Sequence, residues 1–307
     1  KQYPNIITVV NETFADIKVL GDFKTNEDYM PYFHSLKKNC VTGYTYASIV
    51  GGQTANTEFE LLTGNTLGFL SAGTTAFQLY IHGQMPSLVS NLKAEGYSGN
   101  KAMHPFNPYN YNRPAVYKDF GFTDFIDKFD FPKNVKRVRE YISDEANVDR
   151  IISEYEKNRK KTDQPFYMYN MTIQNHSPYD KDAANFKQPI KIESSKYDAE
   201  ANRYLNLIKY SDDSLKQLTG YFEKCKEPTI ILFLGDHQPR LTDEFMNKIT
   251  NGQYQTWSSE QMMKRYQVPF VIWANYDIKE QHIEKTSMNY IQSILTKTAG
   301  VKMTGYQ

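Results

Sequence analysis

Four stretches of nearly unbroken apolar residues organise this chain. They lie within "PNIITVVN" (4–11), "PFYMYNMTI" (165–173), "PTIILFLGDH" (228–237) and "VPFVIWAN" (268–275). Continuous rather than alternating apolar runs of this length predict strands covered on both faces. A shorter strand is expected in "GNKAMH", 99–104. Between the strands the apolar positions recur at helical spacing, with helix punctuation at the ends. The pattern predicts helices over 25–38, capped by Thr25 or Asn26; over 56–63, with Gly64 just past the end; and over 85–97, with Pro86 in the first turn and Gly96 after it. Further helices are expected over 143–161, opened by Ser143 and Asp144 and closed by the basic "KNRKK", over roughly 198–224, and over 287–298. Residues 180–197 read as polar and irregular. Buried strands alternating with amphipathic helices predict an α/β three-layer sandwich around a largely parallel central sheet. Neither a repeat nor a linker divides the chain. A single catalytic domain over 1–307 is expected, with the part from about residue 240 as a candidate small α+β subdomain.

Composition narrows this picture only slightly. The 307 residues are 40% hydrophobic and 23% charged, with a net charge of +1, a balance that gives no sign of nucleic-acid binding. Tyr (24) and Phe (18) suit an aromatic-rich core, or a sugar-facing surface. No window reaches the roughly 18 consecutive apolar residues of a membrane span, and the first residues, "KQYPNIITVV", run into a strand without a signal-peptide pattern. This start suits a processed or trimmed polypeptide. Cys40 and Cys225 form no C-x-x-C pair, which argues against a structural zinc site. Two ordinary buried thiols are expected in preference to a disulfide.

The chemistry gathers where strands end. In open α/β sheets ligands bind beyond the carboxyl ends of the strands. The first strand runs into Glu12, the 165–173 strand into "QNHSPY" with His176, and the 228–234 strand into "GDHQP" with Asp236 and His237. Thr54 follows Gly51-Gly52-Gln53 at the start of a helix. Asp236-His237 alone could be a capped turn, and Thr54 alone a helix cap. Together with Glu12 they make a divalent-metal site, since two carboxylates crowded together without a cation raise each other's pKa. Glu12, Thr54, Asp236 and His237 supply three oxygens and one nitrogen, a mix that suits Mn2+ or Mg2+ and admits Zn2+. A hydroxyl becomes nucleophilic when a metal stabilises its alkoxide, and a helix N-terminus attracts phosphate. Thr54 is therefore the expected nucleophile.

The segments "NETF", "GGQTANTEFELLTG", "YNRPAVYKDFGF", "QNHSPY" and "FLGDHQP" also carry a family likeness. In order and rough spacing the chain resembles lipoteichoic acid synthase-type phosphoglycerol transferases, a branch of the sulfatase/alkaline-phosphatase superfamily, over about residues 4–298. The resemblance implies a sulfatase/alkaline-phosphatase-like fold and the extracellular catalytic domain of a bacterial cell-membrane enzyme whose N-terminal transmembrane helices are not in this chain. It implies transfer of glycerol phosphate from phosphatidylglycerol, through Thr54, to an acceptor hydroxyl on a cell-envelope glycopolymer or glycolipid. It also makes Glu12, Thr54, Asp236 and His237 ligands of a metal that is usually Mn2+, and makes Arg113 and His176 glycerol-phosphate contacts. A guanidinium fork suits phosphate oxygens, and His176 could protonate a leaving alkoxide; the bland alternatives are a surface ion pair for Arg113 and a structural histidine for His176. His104 and Tyr111 are further substrate-binding candidates. Tyr111 stands where these synthases carry Trp, and the neighbouring segment lacks an acidic residue that the resemblance would place there.

Three enzymatic readings and one non-enzymatic reading compete with this one. A sulfatase needs C/S-x-P-x-R, whereas Thr54 is followed by "ANTE". A two-metal phosphatase needs further ligands such as D-x-x-x-H, a spacing the chain lacks. A phosphoethanolamine transferase shares the Thr nucleophile, but such enzymes usually carry more histidine and disulfides than the 6 His and 2 Cys here. A non-enzymatic glycopolymer-binding module would have had no need to keep Glu12, Thr54, Asp236 and His237 together.

Overall fold

The computed structural model of the chain describes residues 3–193 and 198–305. Its strands are β1 (Asn5–Asn11), β2 (Cys40–Tyr46), β3 (Ser98–Met103), β4 (Asp124–Ile126), β5 (Arg137–Val138), β6 (Tyr141–Ile142), β7 (Phe166–Met171), β8 (Thr229–Gly235), β9 (Gln267–Ala274) and β10 (Gln281–Ser287). Its α-helices are α1 (Pro31–Ser35), α2 (Thr54–Thr63), α3 (Ala76–Leu79), α4 (Leu88–Ala94), α5 (Arg113–Phe120), α6 (Asp144–Arg159), α7 (Ala199–Phe222), α8 (Asp243–Ile249), α9 (Ser259–Met262) and α10 (Ile291–Ala299).

Eight strands form one sheet in the order β10-β2-β9-β8-β1-β7-β3-β4, and β5 and β6 make a separate two-stranded ribbon. β9 runs antiparallel to both neighbours, β2 and β8. Every other pairing in the large sheet is parallel. The expected mostly parallel α/β sheet is therefore present. β1, β7 and β8 are buried along their whole length, as their uninterrupted apolar sequences require. Alternate residues of β1 feed two cores. Ile6 and Val10 pack in the layer containing residues of α2, α4, α5 and α10, and Ile7 and Val9 pack in the layer containing residues of α6, α7 and α8. The segment beyond residue 240 contributes β9 and β10 to this same sheet.

Several local expectations change. The helix expected over 25–38 is only α1, five residues long. Pro31 sits at its first turn, and a residue preceding proline is pushed out of the helical region; Met30 has φ −137. Upstream, Thr25 instead bridges Ile192, and the Asp212 carboxylate accepts from the N–H groups of Tyr32 and Phe33. The helix expected over 85–97 begins later, at Leu88, capped by Ser87, so Pro86 precedes it. Of the segment expected to be irregular, 180–197, residues 194–197 lie outside the described residues, and the rest holds only the Ile192 bridge. Both cysteines are free thiols, Cys40 buried and Cys225 partly so.

Candidate active site

The floor of the site is two neighbouring strand ends. β1 and β8 are paired so that Asn11 faces Gly235, which makes Glu12 and Asp236 leave the sheet side by side. A Cβ on Gly235 would lie 1.8 Å from the Phe14 carbonyl oxygen, so the chain leaving β1 crosses directly over the end of β8. Thr13, at φ 54, donates its N–H to Asp236 Oδ1 (2.6 Å) and its hydroxyl to Glu12 Oε1 (2.8 Å). The His237 N–H also donates to Asp236 Oδ1, at 2.9 Å. Both carboxylates are thereby held before any ligand arrives.

α2 brings the hydroxyl. Gly51, Gly52 and Gln53 have φ values of 68, 147 and 63. Glycine accepts such values freely, and Gln53 adopts the left-handed region at a cost of about 1 kcal/mol. This turn makes Gln53 the flanking residue and Thr54 the first helical one, with no side-chain cap at the helix start. The Thr54 hydroxyl is not used as a cap. It donates to Asp236 Oδ2 at 2.8 Å and lies 3.5 Å from Glu12 Oε2. One turn on, the Thr57 hydroxyl donates to the Asp236 carbonyl at 2.7 Å, which ties the helix to the strand end.

Glu12, Asp236 and His237 each present a ligand atom within 4.8 Å of the others, and all three are buried. Burial pushes the Asp236 carboxyl up to about 6, opposed by His237 and reinforced by the Glu12 charge. Glu12 is also raised by burial, against the pull of His237. Burial lowers His237, but the two carboxylates outweigh it and the net shift is upward. His237 Nδ1 lies 2.9 Å from the Gln238 carbonyl, so that nitrogen carries the hydrogen and Nε2 faces the carboxylates, 3.2 Å from Asp236 Oδ2 and 3.6 Å from Glu12 Oε1. Nε2 is buried and has no hydrogen-bond partner among the described residues. Acceptors facing acceptors in a buried place require a proton or a cation between them. The donor set fits a divalent metal, with the second ring nitrogen oriented as a metal-ligating histidine requires.

Above this floor lies a cavity of about 320 Å3. It is lined by His104, Phe106, Tyr111, Arg113 and His176 together with Gly51–Thr54, His237, Pro239 and Arg240. All eight residues singled out in the sequence either line this cavity or, in the case of Asp236, bond to Thr54 beneath it. Arg113 is 2% exposed, so its ion pair is buried where a surface pair was the alternative. Its Nε and Nη2 donate to Glu58 Oε1 at 3.1 and 2.6 Å, and its guanidinium lies 5.1 Å from the centre of the Tyr111 ring. Burial disfavours the Arg113 charge, but the Glu58 carboxylate more than compensates and holds its pKa above the usual value. His104 is buried; its Nδ1 bonds the Met171 carbonyl at 3.0 Å, and burial together with the Arg113 charge keeps the ring neutral. His176 is exposed at the rim, with Nδ1 2.6 Å from the Ser177 carbonyl.

Glu58 was not anticipated from the sequence. Its Oε2 accepts from Tyr169 at 3.1 Å and from Tyr117, so one carboxylate anchors an arginine and two tyrosines. The available signal was its position four residues after Thr54, one helical turn away on the same face. Arg240 was also missed: it lies just after the "GDHQP" segment and rests against Gly51, where a Cβ would be 2.9 Å from Arg240 Cβ.

Comparisons with known proteins bear on the family and the fold. A Rhizobium meliloti (strain 1021) protein named for cyclic beta-1,2-glucan modification is 32% identical over 99% of the chain, which spans 47% of that relative. Lipoteichoic acid synthase-like YvgJ of Bacillus subtilis (strain 168) is 27% identical over 76% of the chain, covering 36% of YvgJ. The chain thus spans under half the length of these relatives. Among solved structures, the Streptococcus pyogenes phosphoglycerol transferase GacH, in complex with sn-glycerol-1-phosphate, superposes with a TM-score of 0.81 at 20% identity, over 99% of this chain and 76% of GacH. The lipoteichoic acid synthase LtaP of Listeria monocytogenes superposes with a TM-score of 0.77 at 23% identity, over 98% of this chain and 73% of LtaP. At that identity these two establish the shared fold. The sulfatase family profile matches residues 4–301, nearly the whole chain. With a mostly parallel sheet and a family match along nearly its whole length, the chain belongs to the sulfatase family.

Proposed function

We propose that the chain is the catalytic part of a metal-dependent phosphoglycerol transferase, which moves glycerol phosphate from phosphatidylglycerol to an acceptor hydroxyl through a phospho-Thr54 intermediate. The observation that carries this reading is the Thr54 hydroxyl. It sits at the first turn of α2, spends its hydrogen on Asp236 Oδ2 at 2.8 Å, and lines the same cavity as Arg113. GacH with its bound sn-glycerol-1-phosphate and LtaP support the donor class. The residues after Thr54, Ala55-Asn56-Thr57-Glu58, lack the proline and arginine a formylglycine sulfatase needs.

Glu12, Thr54, Asp236 and His237 would hold the metal, Mn2+ by the resemblance, with Mg2+ or Zn2+ as alternatives. A bound divalent cation would lower the pKa of the Thr54 hydroxyl and offset phosphoryl charge. In the first displacement Thr54 Oγ1 bonds to phosphorus, the bond from phosphorus to the diacylglycerol oxygen breaks, and the Thr54 proton passes to Asp236 Oδ2. His176, at the rim, gives the leaving oxygen its proton. Arg113, held by Glu58, donates to the phosphoryl oxygens, and neutral His104 and Tyr111 contact the glycerol end. In the second displacement the acceptor hydroxyl attacks phosphorus and yields its proton to His176, and Thr54 Oγ1 leaves and is reprotonated from Asp236. Two in-line displacements give net retention at phosphorus.

The acceptor is a hydroxyl of a cell-envelope glycopolymer or glycolipid. The relative named for glucan modification, which matches along 99% of this chain, favours a glucan hydroxyl. We further propose that the domain faces the outside of the bacterial cell membrane as part of a membrane-anchored protein. Among the described residues no helix is long and apolar enough to cross a membrane. The test is mass spectrometry of the intact protein after incubation with phosphatidylglycerol and Mn2+ without acceptor. A glycerol-phosphate adduct that maps to Thr54 and is absent from Thr54→Ala is expected. No adduct, or one formed equally by the variant, refutes the reading, and an adduct only from phosphatidylethanolamine would favour a phosphoethanolamine transferase.

A further inference from the structure

Exposed apolar side chains stand next to the segments that line the cavity. Among the described residues the large hydrophobic side chains that stand exposed include Tyr109 (79%), Phe129 (74%), Leu79 (58%) and Tyr80 (46%). These four come from three segments, each of which supplies a residue that lines the cavity or touches one that does. Leu79 and Tyr80 follow the cavity-lining Gln78, and Tyr109 precedes the cavity-lining Asn110. α3 packs against the turn at 110–112, which brings the first two segments together. Phe129 joins them through Lys128, whose Nζ lies 5.0 Å from the Phe129 ring centre and 5.9 Å from that of the cavity-lining Phe106. Isolated surface hydrophobics are ordinary, whereas a cluster around a binding cavity marks an interaction surface.

Two cations beside these segments are free of ion pairs among the described residues. Arg240 is exposed, lines the cavity and makes no ion pair among the described residues. Lys128 likewise makes none. The carboxylates flanking it are turned back onto the backbone: Asp127 Oδ1 accepts from the Phe129 N–H and Asp130 Oδ2 from the Asp127 N–H. Tyrosines with apolar bodies and polar tips, a bare Phe and Leu, and two unpaired cations are the composition of a surface that lies in an anionic lipid interface. A protein seated here would cap the mouth and shut out substrate. A bilayer would cover the same apolar area while presenting substrate to the opening.

We propose that Leu79, Tyr80, Tyr109 and Phe129 insert into the headgroup region of an anionic phospholipid bilayer, with Lys128 and Arg240 against its phosphates, so that the cavity opens onto the lipid whose headgroup it takes. This rests on the phosphatidylglycerol reading above. The test is flotation of the protein with vesicles of phosphatidylcholine, with and without phosphatidylglycerol, for the wild type and for the Leu79→Ser, Tyr109→Ser, Phe129→Ser triple variant, whose melting temperature is checked first. The triple variant should lose partitioning onto phosphatidylglycerol vesicles by about tenfold or more. Its Thr54 adduct formation from vesicles should fall in parallel, while adduct formation from water-soluble glycerophosphoglycerol stays at the wild-type rate. Lys128→Gln with Arg240→Gln should weaken partitioning only where phosphatidylglycerol is present. Wild-type protein that fails to float, or a triple variant that floats equally well, overturns the proposal. So does self-association that the triple variant abolishes, since that would assign the rim to a second copy. Rim-dependent flotation without any adduct would instead retain the docking surface and refute the donor.

Discussion

Replacing Glu58 by Gln tests the idea that one buried carboxylate organises the substrate wall. Glu58 is fully buried and Arg113 is 2% exposed. Oε1 takes two N–H groups of the guanidinium, and Oε2 takes the hydroxyls of Tyr117 and Tyr169. Removing one partner of a buried ion pair typically costs about 3–5 kcal/mol, because the remaining charge is left uncompensated. The amide oxygen of Gln can still accept from Arg113, and the two tyrosine hydroxyls can rotate to accept from its NH2 group, so the hydrogen bonds survive and mainly the charge is lost. The expected cost is therefore about 2–3 kcal/mol. Glu58→Ala, which removes every bond, should cost about 4–5 kcal/mol. The assay is urea denaturation followed by circular dichroism, with a lowered midpoint at unchanged slope. The double variant Glu58→Met, Arg113→Met should recover most of the loss, since apolar side chains of similar volume need no charge compensation, while adduct formation on Thr54 stays impaired. A Glu58→Gln protein within about 0.5 kcal/mol of wild type, or a double variant less stable than either single one, would refute the reasoning.

Three further outcomes are expected. Asp236 titrates at about 6 in the fold against an ordinary 3.8, so in the metal-free protein its contribution to stability is complete below about pH 3.8 and is withdrawn as pH rises through about 6. Melting curves of wild type and Asp236→Asn without metal should therefore shift in the variant's favour over that window, saturating Mn2+ should reverse the order, and parallel curves would contradict the account. Gly235→Ala places a Cβ against the Phe14 carbonyl; it should destabilise by about 2 kcal/mol or more and weaken Mn2+ binding measured by calorimetry, because it parts the strand ends that carry Glu12 and Asp236. His34 is raised to about 9 by its bond to Asp16, against burial, with help from Asp28. Its contribution is present below about pH 6.5 and lost as pH rises through about 9. His34→Gln should cost about 1 kcal/mol at neutral pH, an amount reduced by solvent because the ring is about one-third exposed, and the gap from wild type should close in alkaline denaturation curves.

How much of this could be read from the sequence follows burial. β1, β7, β8 and β9 are buried at all or nearly all positions, so their apolar runs announce them. β2, "CVTGYTY", is half-covered, and β10, "QHIEKTS", is a polar strand at the end of the sheet. Neither offers an apolar run, and both escape pattern reading. α5 was hidden because its first residue, Arg113, belongs to the motif and its eight residues have only a weak apolar stripe. At the site, the floor residues were legible because strand ends are where chemistry gathers in such sheets. Glu58 was not, because a glutamate inside an amphipathic-looking helix reads as a solvated face until α5 is known to deliver Arg113 against it.

The pairing of Asn11 with Gly235 has one more consequence. Because the two acidic residues leave hydrogen-bonded neighbours in the sheet, their separation is inherited from the backbone ladder, whose strands lie about 4.8 Å apart. No loop has to close and no side chain elsewhere has to shift for the carboxylates to meet. The reactive end of the molecule can therefore stay constant while the segments around the opening, from Ala76 to Asp130, diverge to suit new donors and acceptors.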